Sequence, residues 1–220
     1  MGVMTADAEI SPGVPDGLET AIAAVTGQAL RLAERALGLD DTALSLPSLM
    51  PGWRVHEVLV HLASSMNRLS RAVREPEARV RQVSFEEYCT TSWRDTEEIR
   101  LRVLEEAGAV PPAGAGRLVA EAARSLNRRL SMVEGDKLVV MRRGTMALSD
   151  VLAVHCLEML THGADLGRDL GRPPLDMCDA TAVQYATSLL HGPAVWATLN
   201  LLDGPAASAS WVRRLCPAVA

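Results

Sequence analysis

The stretch SDVLAVHCLEMLTHGADLGRDL, residues 149–170, decides how the rest of the chain is read. Taken as a helix at about 100° per residue, it is apolar almost all the way round, with Leu152, Leu157, Met159, Leu160, Leu166 and Leu170 covering most of its circumference. His155, Glu158, His162 and Asp165 fall instead within an arc of roughly 80°. A helix greasy on every side belongs in a protein interior, where a bare carboxylate costs several kcal/mol unless something pairs with it. A divalent metal is the most economical partner.

Glu158 and His162 are four residues apart. They stand one turn above each other with Cβ atoms roughly 5–6 Å apart, close enough to share an ion. A lone Glu-x3-His pair reads more often as a structural polar network, in which the four residues bond to one another and to arginines of neighbouring helices. A third ligand from elsewhere in the chain is what separates the two readings.

Composition bounds what can supply it. The chain has 220 residues, 48% of them apolar, enough for a sizeable core. A net charge of -5 gives no general pull toward nucleic acid or anionic membrane, and no apolar run reaches the 18 or so residues of a spanning helix. The N-terminus lacks a basic region followed by an apolar block, so the expected location is cytoplasmic. Cys89, Cys156, Cys178 and Cys216 are scattered without ligand-like spacing, which argues for reduced packing residues rather than a thiolate zinc site or a disulfide framework. Lys137 is the single lysine among many arginines, and with abundant Ala, Val, Leu and Gly it points to a GC-rich bacterial genome such as an actinomycete's.

Helical periodicity organises the remainder. Residues 1–16 read as a flexible lead-in, 17–192 as a helical bundle and 193–220 as a short tail, helical in pieces. A first helix carries Leu18, Ile22, Val25, Leu30, Ala33 and Leu37 and ends at Gly38; a loop over 39–50 follows. A second, after Pro51-Gly52, carries Val55, Val58, Leu59, Leu62, Met66, Leu69 and Val73 to about Arg74 before Pro76 closes it. A third is expected from Ser84 to Glu106 and a fourth from Arg117 to Met132. Leu138 to Met141 reads as an extended connection, Ser149-Asp150 as the N-cap of the central helix, and Asp179 to Leu190 as a further helix ended by Gly192-Pro193. Long helices with almost no strand predict an all-α four-helix bundle with additional short C-terminal helices, whose interior can house a metal or ligand.

The candidate third ligand is His61, at the flank of the second helix's apolar stripe. Met50-Pro51-Gly52-Trp53-Arg54-Val55 through Val60-His61-Leu62-Ala63 resembles the Pro-Gly-Trp…His-Leu-Ala signature of DinB-like proteins of the mycothiol-dependent maleylpyruvate isomerase family. Glu158-x3-His162-x2-Asp165-Leu166, followed by Gly171-Arg172-Pro173, is similar to that family's second motif, in the same order. The resemblance spans roughly residues 18–190. It implies a DinB-type bundle binding a divalent metal, usually zinc, through His61, Glu158 and His162, with mycothiol as thiol cofactor. A His2Glu set leaves a coordination position open, as catalytic zinc sites do, though nickel, cobalt, iron and manganese suit it too.

On that resemblance the expected activity is attack of a metal-activated thiolate on a small electrophilic substrate, in isomerisation or S-conjugation. The alternatives are a thiol-independent Lewis-acid isomerase or cyclase and a non-catalytic bundle with a structural or regulatory role. Asp165 is the candidate acceptor for a ligand imidazole N–H and His155 the candidate proton donor. Arg54, Arg68, Arg128, Arg129, Arg142 and Arg143 are candidates to hold an anionic group. His56, read as exposed, and His191 are assigned no role in the site, and Trp53 is read as an apolar anchor. Characterised members of the family carry a further C-terminal domain, whereas 30 residues follow Leu190 here, so the expected substrate is an electrophile for detoxification or a secondary metabolite rather than maleylpyruvate. Partners are expected to be the substrate and the thiol, with no nucleic acid or membrane, in a monomer or homodimer.

Overall fold

The computed structural model describes residues 17–74, 82–92, 96–142 and 144–190. The expected lead-in, tail and helix stop at Gly192-Pro193, together with Pro76, Arg143, His191 and Cys216, lie outside these residues. The elements in chain order are α1 (Gly17–Leu37), α2 (Asp41–Ser45), α3 (Val55–Ala72), α4 (Phe85–Ser92), α5 (Thr96–Gly108), α6 (Ala115–Leu130), β1 (Leu138–Met141), β2 (Gly144–Ala147), α7 (Leu148–Asp169) and α8 (Ala180–Leu190). Short 3-10 turns, Pro112–Gly114 and Pro174–Met177, precede α6 and α8.

Four helices make the bundle. α1 and α3 each pack against both α6 and α7, so the order around the barrel is α1, α6, α3, α7. The core between them takes Val58, Leu59, Leu62 and Met66 from the stripe expected on α3 and Val119, Ala123 and Leu126 from α6, whereas on α1 only Val25 and Ala33 of the expected stripe are buried, beside Ala21 and Leu32, and Leu30 and Leu37 are exposed. α7 is buried on nearly every face, as its all-round apolarity requires. Leu152, Leu160 and Leu166 are fully buried, each stabilising the fold by about 1.5–3 kcal/mol relative to exposure. This burial offsets the polar stripe that the same helix carries into the interior.

Several expectations need correction. The run over Leu138–Met141 is not a bare connection but β1, paired antiparallel with β2 from Leu138↔Ala147 to Met141↔Gly144. Gly144, at φ +148°, supplies the backbone of the turn, and Val139 and Met146 bury one face against the bundle. Ser149-Asp150 is not the N-cap: α7 begins at Leu148, one residue earlier. Its first turn is satisfied from outside, since Leu148 N–H donates to the Lys137 carbonyl at 2.8 Å and Ser149 donates N–H and Oγ–H to the Asp136 carboxylate at 3.1 and 2.7 Å. The hairpin returns the chain onto its own preceding residues, which is what places Asp136 there. The loop over 39–50 contains α2, capped by Asp40, whose carboxylate accepts the Ala43 N–H at 2.8 Å. The expected third helix is helical over α4 and α5, and residues 93–95 between them lie outside the described residues.

Candidate metal centre

Trp53 opens the site. Gly52, at φ +78°, turns the chain so that Trp53 N–H reaches the Met50 carbonyl at 3.0 Å and the indole is buried ahead of α3. Its ring meets the edge of His61, two helical turns on, with centroids 5.4 Å apart at 75°. The aromatic anchor therefore packs directly on a candidate ligand.

His61 is 5% exposed and faces α7. Its Nε2 lies 3.0 Å from Glu158 Oε1, and its ring stands edge-on to His162, with centroids 5.0 Å apart at 87°. The ligand atoms of His61, Glu158 and His162 all fall within 4.8 Å of one another. Three residues from two helices nearly a hundred positions apart thus converge on one point between α3 and α7. The set fits a divalent cation by its chemistry: two imidazole nitrogens and one carboxylate oxygen, three donors where a tetrahedral ion takes four. His61 Nδ1 is buried without a hydrogen-bond partner among the described residues, so the ring is held through its other nitrogen and its face.

The far oxygen of the carboxylate is held separately. Ser65, one turn after His61 on α3, donates Oγ–H to Glu158 Oε2 at 2.8 Å, and its oxygen lies 3.1 Å from His155 Nδ1. His155 Nδ1 is itself 3.3 Å from Glu158 Oε2. Burial alone would raise the Glu158 carboxyl, but hydrogen bonds from His155 and His61, and their charge, outweigh it and hold it well below the ordinary carboxylate range. Glu158 is therefore an anion in the folded protein, the form that binds a cation.

Asp165 is 1% exposed, and its Oδ1 takes the Arg168 guanidinium at 3.2 Å. The predicted stripe is thus coherent, His155, Glu158 and His162 at the centre and Asp165 paired one turn along. Ser65 was missed because a serine inside an apolar stripe reads as filler; its place four residues after His61, on the same face, is the signal that could have found it. His56 is half-buried rather than exposed and bonds the Val110 carbonyl at 3.2 Å, away from the centre. Of the candidate arginines, Arg54 begins α3 and donates to the Ser45 carbonyl, Arg142 pairs with Glu98, and Arg128 and Arg129 end α6. Arg68, half-buried on α3, lies near enough to Glu158 for that charge to favour its guanidinium.

Residues 25–167 match the profile of the mycothiol maleylpyruvate isomerase N-terminal domain. The chain belongs to that family. Among solved structures it is similar to a mycothiol-dependent maleylpyruvate isomerase, at 15% sequence identity and a TM-score of 0.51, over 84% of this chain and 68% of that one. At that identity the likeness shows the fold, which is the expected DinB-like helical bundle. No curated protein matches the chain. The match covers residues 50–63 and 158–166 of the two motifs and ends before Gly171-Arg172-Pro173, and family and fold together make this a maleylpyruvate-isomerase-like protein. Among the described residues no helix is long and apolar enough to cross a membrane.

Proposed function

We propose that the protein is a metal-dependent, mycothiol-using enzyme that acts on a small electrophile, by isomerisation or by S-conjugation, with zinc held by His61, Glu158 and His162. The observation that carries this reading is the convergence of those three donors within 4.8 Å, on an anionic carboxylate. A bound divalent ion would supply Lewis acidity and lower the pKa of a thiol brought to it, and mycothiol would supply the nucleophilic sulfur.

The chain's own residues prepare that chemistry. Ser65 and His155 fasten Oε2 of Glu158, which fixes Oε1 toward His61. Trp53 covers the His61 ring and keeps water from that side. Asp165, paired with Arg168 on the same helix and one turn beyond His162, is the acceptor assigned to a ligand imidazole N–H. His155 Nδ1 faces Ser65 and Glu158, so the role of proton donor to substrate falls to its Nε2.

The deciding experiment assays zinc-loaded protein with maleylpyruvate and with an alkylating electrophile such as monochlorobimane, with and without mycothiol and with a chelator. Turnover that requires both metal and thiol is expected. Turnover that survives removal of the thiol points instead to a Lewis-acid isomerase, and turnover that survives chelation removes the metal from the chemistry altogether.

A further inference from the structure

The strap between α2 and α3, which carries Trp53, is tied into one piece. Ser48 N–H donates to the Trp53 carbonyl at 2.9 Å, Trp53 N–H to the Met50 carbonyl at 3.0 Å and Val55 N–H to the Leu46 carbonyl at 3.0 Å, while the Ser48 hydroxyl accepts the Met50 N–H at 3.1 Å. Pro47 and Arg54 lie opposite each other in an isolated antiparallel bridge. Fixing any one residue of so short and so bonded a loop fixes the others, the indole of Trp53 included.

The strap is fixed from α7. Leu49 N–H donates to Asp169 Oδ1 at 2.9 Å, across 120 positions of chain. Among the described residues this is the one hydrogen bond that joins the strap to anything other than the two helices it connects. Asp169 stands two turns beyond His162, and Trp53 stands two turns before His61. The contacts therefore close a ring: Glu158 and His162 on α7, Asp169 at its end, Leu49 and Trp53 on the strap, then His61 on α3, which meets Glu158 and His162 again.

A neutral acceptor would make the same tie with less desolvation. Asp169 Oδ2 is buried with no hydrogen-bond partner among the described residues, and burial raises the carboxyl above its ordinary value against the Ser48 hydroxyl, the Leu49 N–H and the charge of Arg168. A charged acceptor holds an N–H about twice as strongly as a neutral one, which suits a strap whose Leu49 is itself 47% exposed and open to competing water.

We infer that Asp169 is a positioning residue for the candidate metal centre: it latches the strap to the end of α7 and so holds the Trp53 indole as the wall over His61. The effect on a bound ion rests on the proposed reading of that centre, whereas the placing of Trp53 does not.

The test has two arms. In full-length protein carrying W93F, W196F and W211F, Trp53 is the one indole left, and its quenching by acrylamide is measured without metal. In the otherwise unchanged, zinc-loaded protein, the rate of zinc release to a chromogenic chelator is measured. D169A should shift the quenching of Trp53 from that of a buried indole toward that of an exposed one, and should speed zinc release by about 10-fold, the loss of one hydrogen bond to a charged group. D169N, which keeps an oxygen for the Leu49 N–H, should fall between D169A and the wild type on both readings. In W53L protein, D169A should speed release no further, because the latch acts through the indole. Wild-type quenching of Trp53 in D169A overturns the inference, and so does an equal acceleration of release by D169A with and without Trp53, since Asp169 would then only stabilise the fold. If D169A does not fold, D169N decides, and wild-type values on both readings overturn the inference. Wild-type protein that holds no zinc would sink the metal reading, and the quenching arm then decides the latch by itself.

Discussion

Ser65 offers one hydroxyl, yet it contacts both Glu158 Oε2 and His155 Nδ1 and so couples the two helices at the candidate centre. Replacing it with alanine removes a donor to a mostly buried carboxylate while leaving the packing volume nearly intact. Groups that orient a ligand in this way are worth about 10- to 100-fold in metal affinity. S65A is therefore expected to lose zinc affinity in that range in a competitive titration with a zinc indicator, with its thermal unfolding close to that of the wild type. Unchanged affinity would mean that His155 alone suffices to hold Oε2. Glu158→Gln is a harsher change of almost identical shape: it removes the anion and the oxygen donor together. Elemental analysis of E158Q purified without chelators should find the metal absent, and a variant that retains it would show that Glu158 is not a ligand.

At the scale of elements, the bundle helices were legible because a 3.6-residue apolar period recurs over sixteen or more residues, as in α1, α3, α6 and α7. The β1–β2 hairpin was not, because four residues are too few to show a period and the pairing depends on where Gly144 folds the chain back. The α7 start was misread for a related reason: Asp136, which satisfies Ser149, lies thirteen residues upstream and meets it only through that hairpin. His61, Glu158 and His162 were legible because spacing and motif order identify them. How closely helices approach, by contrast, is invisible in sequence, and Gly116 on α6 shows it. A Cβ there would stand 2.5 Å from the Ala36 carbonyl oxygen and 2.9 Å from its carbon, both backbone atoms of α1. Neither can rotate away, so α1 and α6 would have to separate. G116A gains helix propensity but should still lose about 1–3 kcal/mol of stability. Differential scanning calorimetry should show a lowered melting temperature, and an equal or higher one would mean that the helices part at no cost.

At the scale of the molecule, α7 joins two environments, the polar wall it shares with α3 and a dry one where α8 and the turn before it close over the opposite face. Cys156, adjacent to His155 in sequence but directed to that other face, donates Sγ–H to the Ala182 carbonyl at 3.9 Å. Burial pushes its thiol up to about 12, and burial likewise pushes Cys178 up to about 11 and raises Tyr185. All three are acids whose neutral form the fold holds. In the unfolded chain the thiols ionise from about 8.5 upward, so above that pH unfolding releases protons that the folded state keeps. The stability these groups contribute is thus complete below the unfolded value and is lost as pH rises toward 11 and 12, by about 1.4 kcal/mol per pH unit for each thiol. Urea midpoints measured from neutral pH upward should fall steeply beyond about pH 9. C156A should flatten that fall, at the cost of some stability at neutral pH from the small cavity. Protonated and enclosed, Cys156 should also resist iodoacetamide in the native protein at pH 8 and react once urea unfolds it. Ready alkylation of native Cys156, detected by mass spectrometry of the digested protein, would mean that the α7–α8 contact opens to solvent and that this face is not the dry side of the bundle.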